Sequence, residues 1–260
     1  MKEIVSIITP LYNSEEFIRD AIGSVLLQTY TNWEMIIVDD CSTDDSVELI
    51  KHYVEQDSRI KLIQLSENSG AAVARNKAIE MAQGRYIAFL DSDDLWLSDK
   101  LEKQVAFMQS NNYPFTYVSY DKIKEQGEVF DNIVVPDRVS YSDMLKMSSI
   151  GCLTAMYDTD YFGKVYMPLI RKRQDLGLWL CLLKKTDYAY GLNESLAQYR
   201  VRKNSISANK VNAAKFTWRL YREVEELSLV KASYYFSHYA VRGLLRAKAP
   251  GLARILGVLK

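Results

Sequence analysis

The chain has 260 residues, with 33 basic and 33 acidic side chains and a formal charge of zero, so its bulk charge carries no nucleic-acid footprint. Apolar residues make up 48% and charged residues 25% of it, the balance of an ordinary globular protein, with length for one large α/β domain or one and a half smaller ones. Cys41, Cys152 and Cys181 are odd in number and widely separated, without metal-type spacing, and fit a reducing cytosol better than a disulfide framework.

Met1-Lys2-Glu3 runs directly into a short apolar stretch, too short for a signal peptide or a membrane span. That stretch, over 4–8, predicts a first buried strand; Pro10 ends it, because proline cannot donate to a ladder. A helix follows with Asn13 or Ser14 as cap, Glu15 and Glu16 in its first turn, and Phe17, Ile18, Ala21, Val25 and Leu26 on its apolar face. A second strand over 33–38 ends in Asp39-Asp40-Cys41-Ser42, and Asp44 caps a helix carrying Val47, Leu49, Ile50 and Tyr53. A third strand over 60–65 ends at Ser66-Glu67-Asn68-Ser69-Gly70. A helix over 71–82 leads to a fourth strand over 86–90, which stops at Asp91-Ser92-Asp93-Asp94.

Strand and helix thus alternate four times, the pattern of a parallel sheet wound with helices. Right-handed crossovers bring the loops 9–14, 39–42, 66–70 and 91–94 to one rim, where ligands of open α/β sheets sit. An Asp-x-Asp pair there can share one hard cation; Mg²⁺ and Mn²⁺ favour oxygen ligands and leave positions for water and phosphate. Read locally, the same residues are an acidic loop capping the next helix. Asp39 suits a base ring N–H, or an N-cap. Tyr12 suits base stacking, or a surface loop. Arg75, one turn into its helix, suits phosphate or sugar oxygens, or is an exposed helix charge.

After Leu95 the pattern loosens to α+β. A helix is predicted over 98–109, then strands over 115–120 and 128–135 about the turn 122–127. Further elements are a helix over 142–147, an extended stretch over 152–157, a helix over 174–185, an extended stretch over 195–201 and a helix over 211–229. From Val230 the chain holds Lys231, Arg242, Arg246, Lys248, Arg254 and Lys260, with no acidic residue, among Tyr234, Tyr235, Phe236, Leu244, Leu245, Ile255 and Leu256. That mixture suits a membrane surface, or helices packed back on the domain.

Other site types fail on their residues. An EF-hand needs Gly where Trp96 stands. The first strand ends in Thr9-Pro10-Leu11-Tyr12-Asn13, without the glycines of a dinucleotide fold or a P-loop. There is no Gly-x-Ser-x-Gly elbow, and His52 and His238 lie far apart on predicted helices.

Four stretches in order carry a resemblance: Val5-Ser6-Ile7-Ile8-Thr9-Pro10-Leu11-Tyr12-Asn13, Ile36-Ile37-Val38-Asp39-Asp40-Cys41-Ser42-Thr43-Asp44, Asn68-Ser69-Gly70-Ala71-Ala72-Val73-Ala74-Arg75-Asn76 and Tyr86-Ile87-Ala88-Phe89-Leu90-Asp91-Ser92-Asp93-Asp94. With them the chain resembles a family 2 glycosyltransferase, most nearly the bacterial enzymes of teichuronic acid, capsule or O-antigen synthesis. The resemblance implies a GT-A fold, a Rossmann-like, mostly parallel sheet with helices on both faces. It places a nucleotide-sugar half over 1–110, an irregular α+β acceptor half of the same domain over 111–210, and a helical basic tail over 211–260. It implies that Thr9, Pro10, Tyr12, Asp39 and Arg75 line the site of a UDP-sugar, with Asp39 reading uracil. Asp91 and Ser92 would contact ribose or donor sugar, and Asp93 would bind Mn²⁺ or Mg²⁺. Gln174-Asp175-Leu176-Gly177-Leu178-Trp179-Leu180 matches the stretch with the family's general base, which makes Asp175 the candidate base of an inverting transfer. Read locally, Asp175 is a first-turn helix acid.

Gln174 departs from the family's usual Glu, and Arg202 stands where His is frequent. The implied acceptor is a saccharide or lipid-linked saccharide, and the implied location is cytoplasmic, peripheral on the inner face of the cell membrane. A silent nucleotide-sugar-binding module stays open, as does a sugar nucleotidyltransferase, although the latter would want a Gly-rich phosphate loop.

Overall fold

The computed structural model describes residues 3–202 and 210–248. Its first half follows the apolar periodicity: β1 (Val5–Leu11), α1 (Ile18–Leu26), β2 (Trp33–Asp39), α2 (Ser46–Gln56), β3 (Ile60–Gln64), α3 (Ala71–Met81) and β4 (Tyr86–Phe89). β1 pairs parallel with both β2 and β4, and β2 with β3. The chain therefore winds outward from β1 and returns to its other side at β4, leaving a switch point between the ends of β1 and β4, the place where such sheets hold ligands.

The second half extends the same sheet. β5 (Leu95–Trp96), α4 (Lys100–Asn111), β6 (Phe115–Ile123), β7 (Val129–Ile133), β8 (Arg138–Val139) and α5 (Tyr141–Lys146) come first. After a 3₁₀ turn at Cys152–Thr154 come β9 (Met156–Asp158), α6 (Thr159–Phe162), α7 (Gln174–Leu183) and β10 (Ala189–Arg200). The sheet order is β3-β2-β1-β4-β9-β6-β10-β5, with β7 on β6 and β8 on β10. β9 runs antiparallel to β4 and to β6, and joins them.

Alternation along the strands feeds two cores. Ile7 and Ile37 face the layer of α1 and α4, while Ile8, Ile36 and Val38 face the layer of α3, α5 and α7. In the second layer Trp179 of α7 is fully buried. Its ring centroid lies 5.3 Å from those of both Phe89 and Phe115. Burying a ring of that size and stacking it edge-on is among the largest single packing contributions, and it fixes α7 against the strand ends.

Several local expectations are corrected. Neither Asn13 nor Ser14 caps α1 with its side chain; the backbone carbonyl of Ser14 accepts from the Phe17 and Ile18 amides instead. Residues 152–154 coil rather than extend, because the Thr154 hydroxyl donates to the Gly151 carbonyl at 2.7 Å. The single helix expected over 211–229 divides. α8 (Lys210–Arg219) passes into a π turn at Leu220–Val224, then breaks at Glu226, whose φ is 51°, before α9 (Leu229–Lys248). Leu220 and Tyr221 are buried under α5 and α7, and the Tyr221 hydroxyl donates to the Leu145 carbonyl; that packing overrides helical regularity. α9 is two-faced. Ala232, Tyr235 and Phe236 lie against the core, while Val230, Tyr234, Val241 and Leu244, on one opposite stripe, are exposed. Arg254, Ile255, Leu256 and Lys260 lie outside the described residues. No helix among the described residues is long and apolar enough to cross a membrane.

Candidate active site

The rim loops are stitched into one unit. The Asn13 amide donates to Ser42 Oγ at 3.0 Å and the Thr43 amide to Asn13 Oδ1 at 2.8 Å. Asp44 accepts from the Ser46 and Glu15 amides, both at 3.1 Å, so it serves the start of α2 and the first loop together. Asp40 turns away from α2: its carboxylate accepts from the Ser69 amide at 2.6 Å and the Gly70 amide at 2.8 Å. Gly70 has φ of 91°, a conformation that favours glycine. The Asp40 contact spans about thirty residues, and local sequence carries no sign of it.

Thr9 and Asp39 are buried beside this unit. Asp39 Oδ1 accepts from the Ser42 amide at 3.0 Å, and Thr9 Oγ1 is buried without a partner among the described residues. Pro10 is half-buried and Tyr12 stands 51% exposed at the rim. Ser92 is buried and shares a 2.8 Å hydroxyl contact with Ser14.

Arg75 is not an exposed helix charge: it is buried on α3. Its Nη2 donates to Asp91 Oδ1 at 2.5 Å. Its Nη1 donates at 3.2 Å to Gln174 Oε1, in the amide orientation that also lets Gln174 donate to the Ile170 and Arg171 carbonyls. Burial opposes the guanidinium's charge, but the Asp91 carboxylate outweighs it and the pKa rises. Arg75 thus bridges the end of β4 and the start of α7. One residue on, Asn76 grips the Met167 backbone in both directions, at 2.7 and 2.9 Å.

Asp93 pairs with a different arginine. Its Oδ2 accepts from Arg202 Nη1 at 3.0 Å. Burial, then the neighbouring Asp91 charge, pushes its pKa up against that pairing. Asp94 is deeper and accepts from the Arg200 amide at 2.9 Å; burial, then Asp93 and Asp91, pushes its carboxyl well above the usual range. Arg200 itself is buried. It donates to the Asp93 carbonyl at 2.9 Å and to the Glu125 carbonyl, and lies over the Phe17 ring. Sequence reasoning weighed Arg202 and passed over Arg200, the residue that fastens β10 to the acidic loop.

A cavity of about 370 Å³ opens beside this cluster; Asp91, Asp94, Cys152, Arg173, Asp175 and Tyr199 are among its walls. It brings Asp91 and Asp175 to one space although 84 positions separate them. Thr9, Pro10, Tyr12, Asp39, Arg75, Ser92 and Asp93 are not on its walls. A carboxylate in such a cavity can accept a proton from a bound hydroxyl, and the crowded Asp91–Asp93–Asp94 oxygens attract a cation.

The family model for glycosyl transferase family 2 matches residues 6–146. The chain belongs to this family. It is a glycosyltransferase, and full-length relatives agree. It is 52% identical over 240 residues to TuaG of Bacillus subtilis, named for teichuronic acid biosynthesis, covering 92% of this chain and 95% of that one. It is 39% identical over 242 residues to WfgD of Escherichia coli, a UDP-Glc:alpha-D-GlcNAc-diphosphoundecaprenol beta-1,3-glucosyltransferase, covering 93% and 94%. Among solved structures it superposes on Staphylococcus aureus TarS in complex with UDP-GlcNAc with a TM-score of 0.72 at 19% identity, covering 94% of this chain and 73% of that one. The fold is therefore the GT-A fold of family 2 glycosyltransferases.

Proposed function

We propose that this glycosyltransferase moves a hexose, with inversion, from a UDP-sugar to a hydroxyl of a lipid-linked bacterial surface polysaccharide. The observation that carries this reading is the cavity shared by Asp91 and Asp175. The acceptor class rests on relatives whose names specify teichuronic acid and a diphosphoundecaprenol-linked sugar. The half over 1–110 takes the donor and the half over 111–210 the acceptor.

In this reading uracil stacks on Tyr12 and is read by Asp39, and the unpartnered Thr9 hydroxyl and Pro10 line the nucleoside path. Arg75 aligns Asp91, which with Ser92 contacts ribose or donor sugar. Asp175 takes the proton of the acceptor hydroxyl while that oxygen attacks the anomeric carbon, and the bond to the diphosphate breaks with its electrons leaving on UDP. General-base help of this kind contributes roughly 10²–10⁴-fold.

The residues fit a divalent cation: Asp91 and Asp93 offer hard carboxylate oxygens, and their crowding is what a cation relieves. Among the described residues no three His, Cys, Asp or Glu side chains converge as a cage; Mg²⁺ or Mn²⁺ would take its remaining ligands from phosphate and water. Bound at Asp93, the ion would neutralise charge on the departing diphosphate.

The protein works at the inner face of the membrane, with the exposed stripe of α9 against anionic lipid; the basic, acid-free sequence from Val230 supports this. UDP release from a panel of UDP-sugars, with Mn²⁺ or Mg²⁺ and then with EDTA, with and without lipid-linked acceptor, tests the chemistry. Release from one donor that stops with EDTA is expected; no release with any donor and acceptor refutes the transfer. Flotation with anionic vesicles tests the location, and binding unaffected by deletion from Val230 refutes it.

A further inference from the structure

Arg173 sits immediately before α7, two positions from Asp175, with a left-handed backbone (φ 67°, ψ 18°). This conformation is uncommon for a long side chain, and Arg173 is among the walls of the cavity that holds Asp91 and Asp175. The head group is held from outside the cavity: Nη2 donates to the Tyr239 hydroxyl of α9 at 2.8 Å, and the guanidinium lies over the Tyr239 ring at 5.6 Å. Among the described residues it forms no salt bridge, although three carboxylates line the same space. Asp91 is already neutralised by Arg75 at 2.5 Å. Arg171 and Lys172 precede Arg173 in sequence, and of the three Arg173 is the one among the cavity walls. A planar fork with unused N–H groups, aimed and anchored by a second element, matches a phosphate or a carboxylate.

We propose that Arg173 selects the acceptor by binding an oxyanion the acceptor carries, a phosphate of its lipid linkage or a carboxylate of a sugar acid, and that Tyr239 on α9 sets its direction. The inference rests on the reading of the cavity as the acceptor site. It gives α9 a second role, since the helix offered to the membrane also aims a residue beside the base.

The test is calorimetric binding to the full-length protein saturated with UDP, so that the donor's diphosphate position is filled. The probes are an alkyl diphosphate-GlcNAc, an alkyl glucuronide and the neutral alkyl GlcNAc glycoside. Wild type is expected to bind one charged probe more tightly than the neutral one, and which probe wins distinguishes phosphate from carboxylate. Arg173→Gln is expected to weaken that probe roughly 10- to 100-fold, the worth of a charge-assisted pair, with the neutral probe unchanged. Arg173→Lys should recover part of the loss. Tyr239→Phe, which removes only a hydroxyl, should weaken the same probe about threefold. Equal binding of all three probes by wild type, or an Arg173→Gln variant that weakens charged and neutral probes alike, overturns the proposal. UDP release on the same samples reports separately on the transfer: charged-probe binding that depends on Arg173, without release from any donor, would refute the reaction and leave the oxyanion site standing.

Discussion

The Arg75–Asp91 pair is asymmetric, and the asymmetry makes a sharp prediction. The Arg75 side chain is 9% exposed and the Asp91 side chain 28%, with the latter opening on the cavity. Removing the acid strands a buried guanidinium whose Nε already lacks a partner among the described residues; losing one member of a buried pair costs about 3–5 kcal/mol. Asp91→Ala also relieves the repulsion that Asp91 exerts on Asp93 and Asp94, which returns about 1 kcal/mol at the scale of partly exposed charges, so the expected net loss is about 2–4 kcal/mol. Removing the base instead leaves a carboxylate that water in the cavity reaches. Met keeps much of the apolar stem, so Arg75→Met should cost only about 1–2 kcal/mol, a charged hydrogen bond less its solvation by water. Urea unfolding of both variants and the wild type, with m-values compared to confirm the same transition, measures the difference. An Arg75→Met variant as unstable as Asp91→Ala, or more so, refutes the argument that burial decides which partner matters.

Three other outcomes are expected. Asp175→Asn should lower transfer by at least roughly 10²-fold while UDP binding, measured by calorimetry, stays within about twofold; near-wild-type transfer removes Asp175 from the chemistry. Arg202→Gln frees the Asp93 carboxylate from a competing cation and should tighten Mn²⁺ binding about two- to fivefold, the worth of a half-exposed ion pair; weaker Mn²⁺ binding in an electron paramagnetic resonance titration would show that Asp93 is not where the ion goes. Lys100 is fully buried, its Nζ has no hydrogen-bond partner among the described residues and lies 3.6 Å from the Trp96 ring centroid, and burial holds its pKa well below the usual value. Below the folded pKa both states hold the proton and stability has no slope from this group. Between that pKa and the unfolded value the unfolded chain holds a proton the native state lacks, so wild-type stability climbs with pH by up to about 1.4 kcal/mol per unit. Lys100→Met should be the more stable protein at neutral pH and lack that climb; parallel stability profiles from about pH 6 to about pH 10 would mean the ammonium stays charged over Trp96.

The first half of the fold was legible because each strand there is a continuous apolar run that ends in a polar loop, and because its partners follow one another along the chain. The acidic loop and Asp39 stood out for the same reason, as polar residues directly after a strand; Asp175 came from the family resemblance alone, since read locally it is a first-turn helix acid. What stayed hidden was held by distant partners. β5 and β8 are two residues each, too short for any period, and they exist because β10 offers them partners; of the extended stretch expected over 152–157 the end is strand, in the three-residue β9. For Arg75 the sequence left a phosphate or sugar contact and an exposed helix charge both open, because nothing near it says that Asp91 and Gln174 close over it. The division between α8 and α9 comes from the buried Tyr221, an override that helical propensity does not contain.

β9 has a mechanical consequence. It hydrogen-bonds to β4 on one side and β6 on the other, so the strand whose end carries Asp91 and the half that presents Asp175 share one backbone ladder. They cannot open like jaws without rupturing it. On the reaction proposed above, the gap between donor and acceptor is accordingly set when the protein folds, rather than each time a substrate arrives. Sealing that gap from water falls to side chains and loops, and a change of acceptor can be written into the loops around the cavity while the reacting distance is inherited unchanged.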